Sequence, residues 1–225
     1  MPICQQLNFE HSQFAVWKIT EKLDELIALL PDYIDISTKL DNTKNEKRKF
    51  ELVCEYLLLH HLLNKPFELC HKENGSPYLK NSNKFITISH TIGYVAVGIA
   101  DTRIGADIEI FRNKVLNILD KFLTDKEKKL IDTQNLLEPL IIWCCKESIF
   151  KYAPLPLYDF SKDINILEIS KPHDNFNINK NKIDLSSKHG NVYFINGEYM
   201  NNGFMTAISL NSYVTNDYIL SFTKD

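Results

Sequence analysis

The chain has 225 residues, 44% of them hydrophobic and 24% charged, which is typical of a globular protein with a sizeable core. Its formal net charge of −3 argues against nucleic-acid binding by bulk electrostatics, and no apolar stretch approaches the roughly 20 residues of a membrane span. The first residues lack the basic and apolar regions of a signal peptide, so we expect a cytoplasmic protein with reduced cysteines and no membrane partner.

The first half of the chain predicts a mixture of helices and strands. A long helix is predicted over 42–63, where apolar residues recur at i, i+3 and i+4, and Pro66 follows its end. Gly75 and Pro77 mark a turn. The other predicted elements of this half are a helix over 21–30 and strands over 14–19, 67–70, 85–89, 94–100 and 104–110.

The second half predicts further helices followed by strands. Thr124 and Glu127 form a capping-box pattern that predicts the start of a helix, and Asn196-Gly197 predicts a hairpin turn. Residues 171–188 are polar and rich in asparagine, which predicts a surface loop. The other predicted elements are helices over 114–122 and 138–152 and strands over 164–169, 191–195, 204–210 and 218–222. The pattern predicts an α+β protein of two similar-sized lobes.

Two acidic side chains lie two positions apart in Gly105-Ala106-Asp107-Ile108-Glu109. On a strand such side chains point to one face, so both can contact one ligand. The alternative interpretation is a strand edge with two solvated acids. Ile104 and Ile110 favour a buried strand, where carboxylates need a counter-charge such as a metal ion. Gly105 leaves room for the close approach of a ligand or another backbone.

A second acidic and basic pair lies in the predicted helix over 138–152. Glu147 and Lys151 are four residues apart and therefore adjacent on one helix face, with Trp143 on the same stripe. The alternative interpretation is an ordinary surface salt bridge. Three carboxylates and an ammonium would together suit a hard divalent cation that holds a phosphate.

Three further segments suit phosphate binding, although each has a structural alternative. Ser89-His90 ends a predicted strand, where the histidine could equally serve as a structural hydrogen-bonding group. The basic cluster over 44–49, which includes Arg48, could be a solvated helix face. Asn74-Gly75-Ser76-Pro77 could be only a turn.

In chain order, these motifs resemble those of the 4′-phosphopantetheinyl transferases, specifically the two-lobed single-chain type typified by surfactin-synthetase activators. The resemblance rests on the Arg48 helix and on four motifs, which are Asn74-Gly75-Ser76-Pro77-Tyr78, Ile88-Ser89-His90, Gly105-Ala106-Asp107-Ile108-Glu109 and Trp143-x-x-Lys146-Glu147-Ser148-x-x-Lys151. The last two motifs occurring together are specific to that family.

The resemblance implies a pseudo-twofold pair of similar α/β lobes, residues 1–112 and 113–225, with an active-site cleft between them. It implies a monomeric, Mg²⁺-dependent holo-[acyl-carrier-protein] synthase. Such an enzyme transfers 4′-phosphopantetheine from coenzyme A to a serine of an apo acyl carrier or peptidyl carrier protein and releases 3′,5′-adenosine bisphosphate. The reaction would serve fatty-acid or secondary-metabolite biosynthesis.

The resemblance also implies roles for individual residues. It makes Asp107, Glu109 and Glu147 the Mg²⁺ ligands, with the first two supplied by the first lobe. Glu147 would in addition be the general base, and Lys151 a catalytic group that contacts the pyrophosphate. The residues implied to bind the coenzyme are Arg48, Lys72, Gly75, Ser76, Pro77, Ser89, His90, Lys146 and Lys151.

The chain departs from the family pattern at Ser76, where many relatives carry Lys or Arg, and Lys72 or Lys47 could supply the missing charge. Two other functions remain open from the sequence. One is a non-catalytic homologue that only binds coenzyme A or a carrier protein. The other is a generic metal-dependent phosphohydrolase with no need for a carrier.

Overall fold

The computed structural model describes residues 3–170 and 190–224, so the loop predicted over 171–188 lies outside the described residues. The described chain divides into two compact units, one that ends at Thr102 and one that starts at Arg103. Within the described residues, no helix combines the length and apolar character needed to cross a bilayer.

The first unit contains an antiparallel sheet, a small hairpin and one long helix. Its strands are β1 (Ile3–Asn8), β2 (Ser12–Lys18), β3 (Leu69–His71), β4 (Pro77–Leu79), β5 (Phe85–Thr91) and β6 (Tyr94–Ala100), and its helices are α1 (Leu23–Ile27), α2 (Ser37–Asn42) and α3 (Glu46–Leu63). The sheet has the order β1-β2-β6-β5, whereas β3 and β4 pair only with each other. α3 packs on β2 and β6.

Local sequence explains the limits of α3. The side chain of Asn45 accepts a hydrogen bond from the backbone N–H of Arg48, and the helix ends where Asn64 adopts a left-handed φ of 49°. Its apolar face joins the core of the first unit, as the predicted i, i+3, i+4 pattern requires. The same helix also buries Glu51 and Glu55, two acidic residues that the apolar pattern does not include.

The second unit contains a five-stranded antiparallel sheet covered by the other long helix. Its strands are β7 (Ala106–Ile110), β8 (Ile164–Ser170), β9 (Asn191–Asn201), β10 (Phe204–Val214) and β11 (Tyr218–Thr223), and its helices are α4 (Leu119–Phe122), α5 (Asp125–Lys128) and α6 (Leu137–Tyr152), preceded by a 3₁₀ turn over Asn113–Ile118. The sheet order is β7-β11-β10-β9-β8. α6 packs on β7 and β11.

The strand that carries Asp107 and Glu109 belongs to the second unit, whereas the resemblance assigns it to the first lobe. The reason is long-range pairing, because β7 forms its antiparallel ladder with β11, near the end of the described chain. The change of unit after Thr102 therefore precedes β7, and the sequence prediction places it after residue 112.

The predicted hairpin at Asn196-Gly197 is wrong. β9 runs without interruption through both residues, and the turn into β10 lies at Asn202-Gly203, where both φ angles are positive. Gly197 has a different reason to be glycine, because a Cβ there would lie 2.8 Å from the carbonyl oxygen of Asn165 on β8.

Candidate active site

β7 and α6 bring the predicted acidic residues of the second unit together. Asp107 and Glu109 both engage α6, as expected for positions i and i+2 of one strand. Gly105 allows the approach, because a Cβ at this position would lie 2.1 Å from the backbone oxygen of Ser148 on α6. The close approach predicted for Gly105 is thus confirmed, and what approaches is the backbone of α6.

Lys151 pairs with the strand rather than with its own helix. Its Nζ donates to the Oδ1 atom of Asp107 at 2.7 Å and to the backbone oxygen of Ala106 at 3.1 Å. Asp107 is 6% exposed, so this ammonium supplies a counter-charge for a buried carboxylate. The simple surface salt bridge between Glu147 and Lys151 is therefore not the arrangement of these two residues.

Glu147 carries a carboxyl group with a raised pKa. Burial is the main cause, and together with the negative charges of Asp107 and Glu109 it raises the pKa of Glu147 to about 7. The positive charge of Lys151 acts in the opposite direction but does not cancel these effects. The three predicted metal ligands therefore interact electrostatically, and Glu147 can hold or release a proton near neutral pH.

Glu109 is oriented by two donors that sequence reasoning did not assign to it. The indole Nε1 of Trp143 donates to its Oε1 atom, and Nη2 of Arg112 donates to its Oε2 atom, each at 3.2 Å. The sequence places Trp143 on the helix stripe of Glu147, but it assigns neither Trp143 nor Arg112 a contact with Glu109. The only available signal for Arg112 was its spacing of three residues from Glu109.

Lys146, which the resemblance assigns to coenzyme binding, lies in the interior of the second unit. The Lys146 side chain is fully buried, and its ammonium contacts the carboxylate of Glu127 at 2.8 Å. It also donates to the backbone oxygens of Phe122, Phe160 and Ile164 at 2.6–2.9 Å. These contacts give the Lys146 ammonium a structural role, and its contact with the coenzyme stays a prediction.

Glu127 joins this buried site to the predicted capping box. Its carboxylate accepts from the backbone N–H and hydroxyl of Thr124, which confirms the capping box, and it also binds Lys146. The backbone N–H of Ile166 donates to the same carboxylate. A single acid therefore caps α5, anchors β8 and neutralises the buried lysine, and only the first of these roles was visible in the sequence.

The first unit groups two of the predicted coenzyme ligands around a buried acidic pair. The guanidinium of Arg48 donates to both carboxylate oxygens of Glu55, and its Nη1 lies 3.5 Å from Glu51. His90 lies 3.4 Å from the same Glu51 and remains 42% exposed. Ser89 precedes it on β5 and is buried. Neither glutamate was singled out in the sequence.

The predicted phosphate-binding turn forms the tip of the β3–β4 hairpin. Gly75 has a φ of 80°, and the side chain of Asn74 accepts hydrogen bonds from the backbone N–H and hydroxyl of Ser76. Lys72 and Gly75 are exposed, while Ser76 and Pro77 are half-buried. This geometry accounts fully for a turn, so a role in coenzyme binding stays a prediction.

The carboxylates have the donor chemistry of a magnesium site but do not form a completed cage. Within residues 3–170 and 190–224, no group of three or more His, Cys, Asp and Glu side chains has a geometry that could hold a metal ion. Mg²⁺ takes oxygen ligands, and it commonly uses one or two carboxylates together with water and substrate phosphates. Asp107, Glu109 and Glu147 have oxygen donors of this kind, and protein donors already engage the first two of them.

Comparison with known families gives a match over the second half of the chain. Residues 103–214 match the family model of the 4′-phosphopantetheinyl transferase superfamily. The matched segment contains all three acidic residues and Lys151, and the match supports this superfamily and a phosphopantetheinyl transferase function in general. Among curated proteins there is no significant match to the chain. The superfamily match does not extend to Arg48 or His90, nor does it identify a subtype.

Proposed function

We propose that this protein is a Mg²⁺-dependent 4′-phosphopantetheinyl transferase of the two-lobed single-chain type. It would move phosphopantetheine from coenzyme A to a serine hydroxyl of an apo acyl carrier or peptidyl carrier protein and release 3′,5′-adenosine bisphosphate. The observation that carries the proposal is that β7 and α6 bring Asp107, Glu109, Glu147 and Lys151 together within the matched segment, where burial and the two neighbouring acids raise the pKa of Glu147 to about 7.

Asp107, Glu109 and Glu147 are the residues that would hold Mg²⁺. When bound, the cation would offset the charge of the coenzyme's pyrophosphate and of the leaving group. Its positive charge would also relieve the repulsion among these carboxylates, which is the main reason beyond burial for the raised pKa of Glu147.

The chain's own side chains supply the remaining chemistry. A carboxyl group with a pKa near 7 is well suited to accept a proton from the incoming serine hydroxyl, so Glu147 is our candidate base. Lys151 is 28% exposed while it holds Asp107, so its ammonium can also contact a phosphate oxygen. Its positive charge would then favour departure of the bisphosphate.

For the coenzyme's phosphates we propose Arg48, Ser89 and His90, with Lys72 and the Gly75 turn as further contacts. Support comes from the exposure of the Arg48 and His90 side chains, which are 37% and 42% accessible although the acids behind them are buried. Their anchoring holds the basic groups in place, which lowers the entropy cost of binding an anion.

The two-lobed type is supported by the architecture of each unit taken separately. The first unit packs α3 on an antiparallel sheet, and the second packs α6 on another. Each helix is long and contributes to the core of its own unit. A two-lobed single chain requires two units of similar architecture, and here each unit packs a long helix on an antiparallel sheet.

The test is transfer to a panel of apo acyl and peptidyl carriers with coenzyme A and Mg²⁺, followed by intact mass. A carrier gain of about 340 Da, the mass of one phosphopantetheine, is the expected result. Glu109→Ala should abolish the gain, whereas the control Glu10→Ala, at an 89% exposed side chain, should retain it. Full activity of both Glu109→Ala and Glu147→Ala would contradict the proposal.

Two further measurements separate the two alternatives, a non-catalytic homologue and a phosphohydrolase. Binding of coenzyme A by calorimetry without transfer to any carrier would favour the non-catalytic homologue. Release of phosphate from unrelated phosphate esters, with no carrier present, would favour a phosphohydrolase.

A further inference from the structure

We propose that Trp143 is a positioning residue that orients the Glu109 carboxylate toward a divalent cation, a role that rests on the proposed function. The indole N–H of Trp143 donates to Oε1 of Glu109 at 3.2 Å. An indole is only a donor and carries no charge, so it cannot neutralise the carboxylate or compete with it as a ligand. Trp143 therefore fixes the direction of an acidic ligand without adding a charge beside it.

The indole ring is itself held by other aromatic rings. Phe122 contacts it edge-on with ring centroids 5.2 Å apart, and Phe160 stacks on it with centroids 5.7 Å apart and planes 19° apart. Phe160 in turn stacks on Phe150, with centroids 5.5 Å apart. Rings in contact on two sides restrict rotation of the indole, so the direction of its N–H is set by packing.

The buried Lys146 holds the backbone of this aromatic clamp, which we define as Phe122, Trp143 and Phe160. Its ammonium donates to the backbone oxygens of Phe122 at 2.6 Å and Phe160 at 2.9 Å. Lys146 lies on α6 with Trp143, so one helix carries both the orienting donor and the cation that fixes its neighbours. Lys146 thus acts on the site through Trp143.

The chain contains a matched control for this contact. Trp17 is the other tryptophan, lies fully buried in the first unit, and directs its Nε1 toward Oε2 of Glu21 at 3.4 Å. Trp17→Phe and Trp143→Phe therefore make the same chemical change, with loss of an indole N–H beside a glutamate, but only the second concerns a proposed metal ligand.

The first test examines the contact without metal or substrate. In ¹⁵N-labelled protein the two indole N–H signals can be assigned with Trp17→Phe. Glu109→Gln should move the Trp143 signal upfield and accelerate its exchange with solvent, because the acceptor loses its charge. Glu21→Gln should affect the Trp17 signal alone. An unchanged Trp143 signal in Glu109→Gln would overturn the proposal.

The second test measures transfer over a range of Mg²⁺ concentrations. Trp143→Phe should raise the Mg²⁺ concentration for half-maximal rate about tenfold, as expected for loss of a group that orients a metal ligand, with a smaller change in kcat at saturating Mg²⁺. Trp17→Phe should leave the Mg²⁺ dependence unchanged. An equal loss of rate at all Mg²⁺ concentrations would show a merely structural role and overturn the proposal.

Two further outcomes are separable. If Trp143→Phe fails to fold, Phe160→Leu replaces it, because this change opens one side of the clamp and retains the indole. Phe160→Leu should raise the half-maximal Mg²⁺ concentration by a smaller factor. An unchanged half-maximal Mg²⁺ concentration would overturn the proposal. If the wild-type protein modifies no carrier, the proposed function fails, and the indole signal still decides whether Trp143 orients Glu109.

Discussion

The two units both bury carboxylates beside basic side chains, but they compensate the negative charge to different extents. In the first unit, Glu51 and Glu55 contact the guanidinium of Arg48, and Lys47 and His90 each lie 3.4 Å from Glu51. Two acidic groups thus meet three basic ones. The result is a neutralised cluster of the kind that anchors side chains in a fold.

The second unit leaves one acid poorly compensated. Lys151 engages Asp107 and Arg112 engages Glu109, while Glu147 experiences both acids and has a pKa raised to about 7. Within the described residues, Lys151 and Arg112 form ion pairs with Asp107 and Glu109, and Glu147 forms none. Proteins retain such uncompensated charge mainly where a proton, a cation or a substrate completes the site.

Burial of acidic residues alone therefore does not mark a catalytic site. The number and placement of the basic neighbours separates an anchoring cluster from a reactive one. Removal of an acid should therefore reduce stability in the first unit and activity in the second.

The largest effect is expected for Glu147→Gln, which removes the undercompensated charge and keeps the shape of the side chain. Carrier modification should fall about 1,000-fold, because both a candidate base and a metal ligand are lost. The free energy of unfolding at pH 8 should stay equal or rise, since a buried charge is removed. Stopped assays with intact-mass detection and urea denaturation measure the two quantities. A rate within tenfold of the wild type would show that Glu147 is not a reactive acid of this cluster.

The next effect concerns a fully compensated pair inside the second unit. Lys146→Met should lower the free energy of unfolding by about 3–5 kcal/mol, because it leaves the Glu127 carboxylate buried without its ammonium. The double variant Lys146→Met/Glu127→Leu is the control and should recover much of the loss. A loss of activity with unchanged stability would contradict the structural role of this pair.

Much of the candidate site followed from local spacing. Asp107 and Glu109 share a strand face, and Glu147 and Lys151 share a helix face, because the strand period is two and the helix period is 3.6 residues. The sequence could not show that β7 belongs to the second unit, since that depends on pairing with β11, far away along the chain.

The sequence neighbours of Lys146 did not show that its side chain is buried. Consecutive helix positions point about 100° apart, so Lys146 and its neighbour Glu147 face different surroundings. The local sequence predicts Glu127 only as a capping residue of α5, whereas in the structure it also neutralises Lys146. The Asn-Gly pairs show the same limit, because Asn196-Gly197 and Asn202-Gly203 are identical as turn signals. The structure keeps the first within a strand paired with both β8 and β10 and places the turn at the second.

A smaller effect is expected for Glu55→Gln in the neutralised cluster of the first unit. The free energy of unfolding should fall by about 2 kcal/mol, because a charge-assisted hydrogen-bond pair with Arg48 is weakened. The rate at saturating coenzyme A should stay close to that of the wild type, while the affinity for coenzyme A should fall as Arg48 loses its anchor. Urea denaturation and calorimetry with coenzyme A test both. An unchanged stability with a large loss of rate would show that Glu55 is a reactive acid like those of the second unit.

The smallest effect is the pH dependence of stability that Glu147 imposes on the metal-free protein. Its pKa is about 7 in the folded state against 4.5 ordinarily, so between these values the folded protein binds more protons than the unfolded chain. The contribution of this group is therefore fully present below pH 4.5 and is lost as the pH rises to about 7. Allowing for its partial exposure, the loss should amount to about 1–2 kcal/mol.

Glu147→Gln isolates that contribution, because glutamine does not titrate. From pH 5 to pH 8, the wild type should lose stability relative to the Glu147→Gln variant. At pH 8, Mg²⁺ should restore part of this lost stability by compensating the carboxylate. Glu55→Gln is the matched control, since its partner Arg48 stays charged across this range. If the difference in unfolding free energy between the wild type and Glu147→Gln did not change with pH, Glu147 would be compensated as fully as the acids of the first unit. The two clusters would then differ in geometry alone.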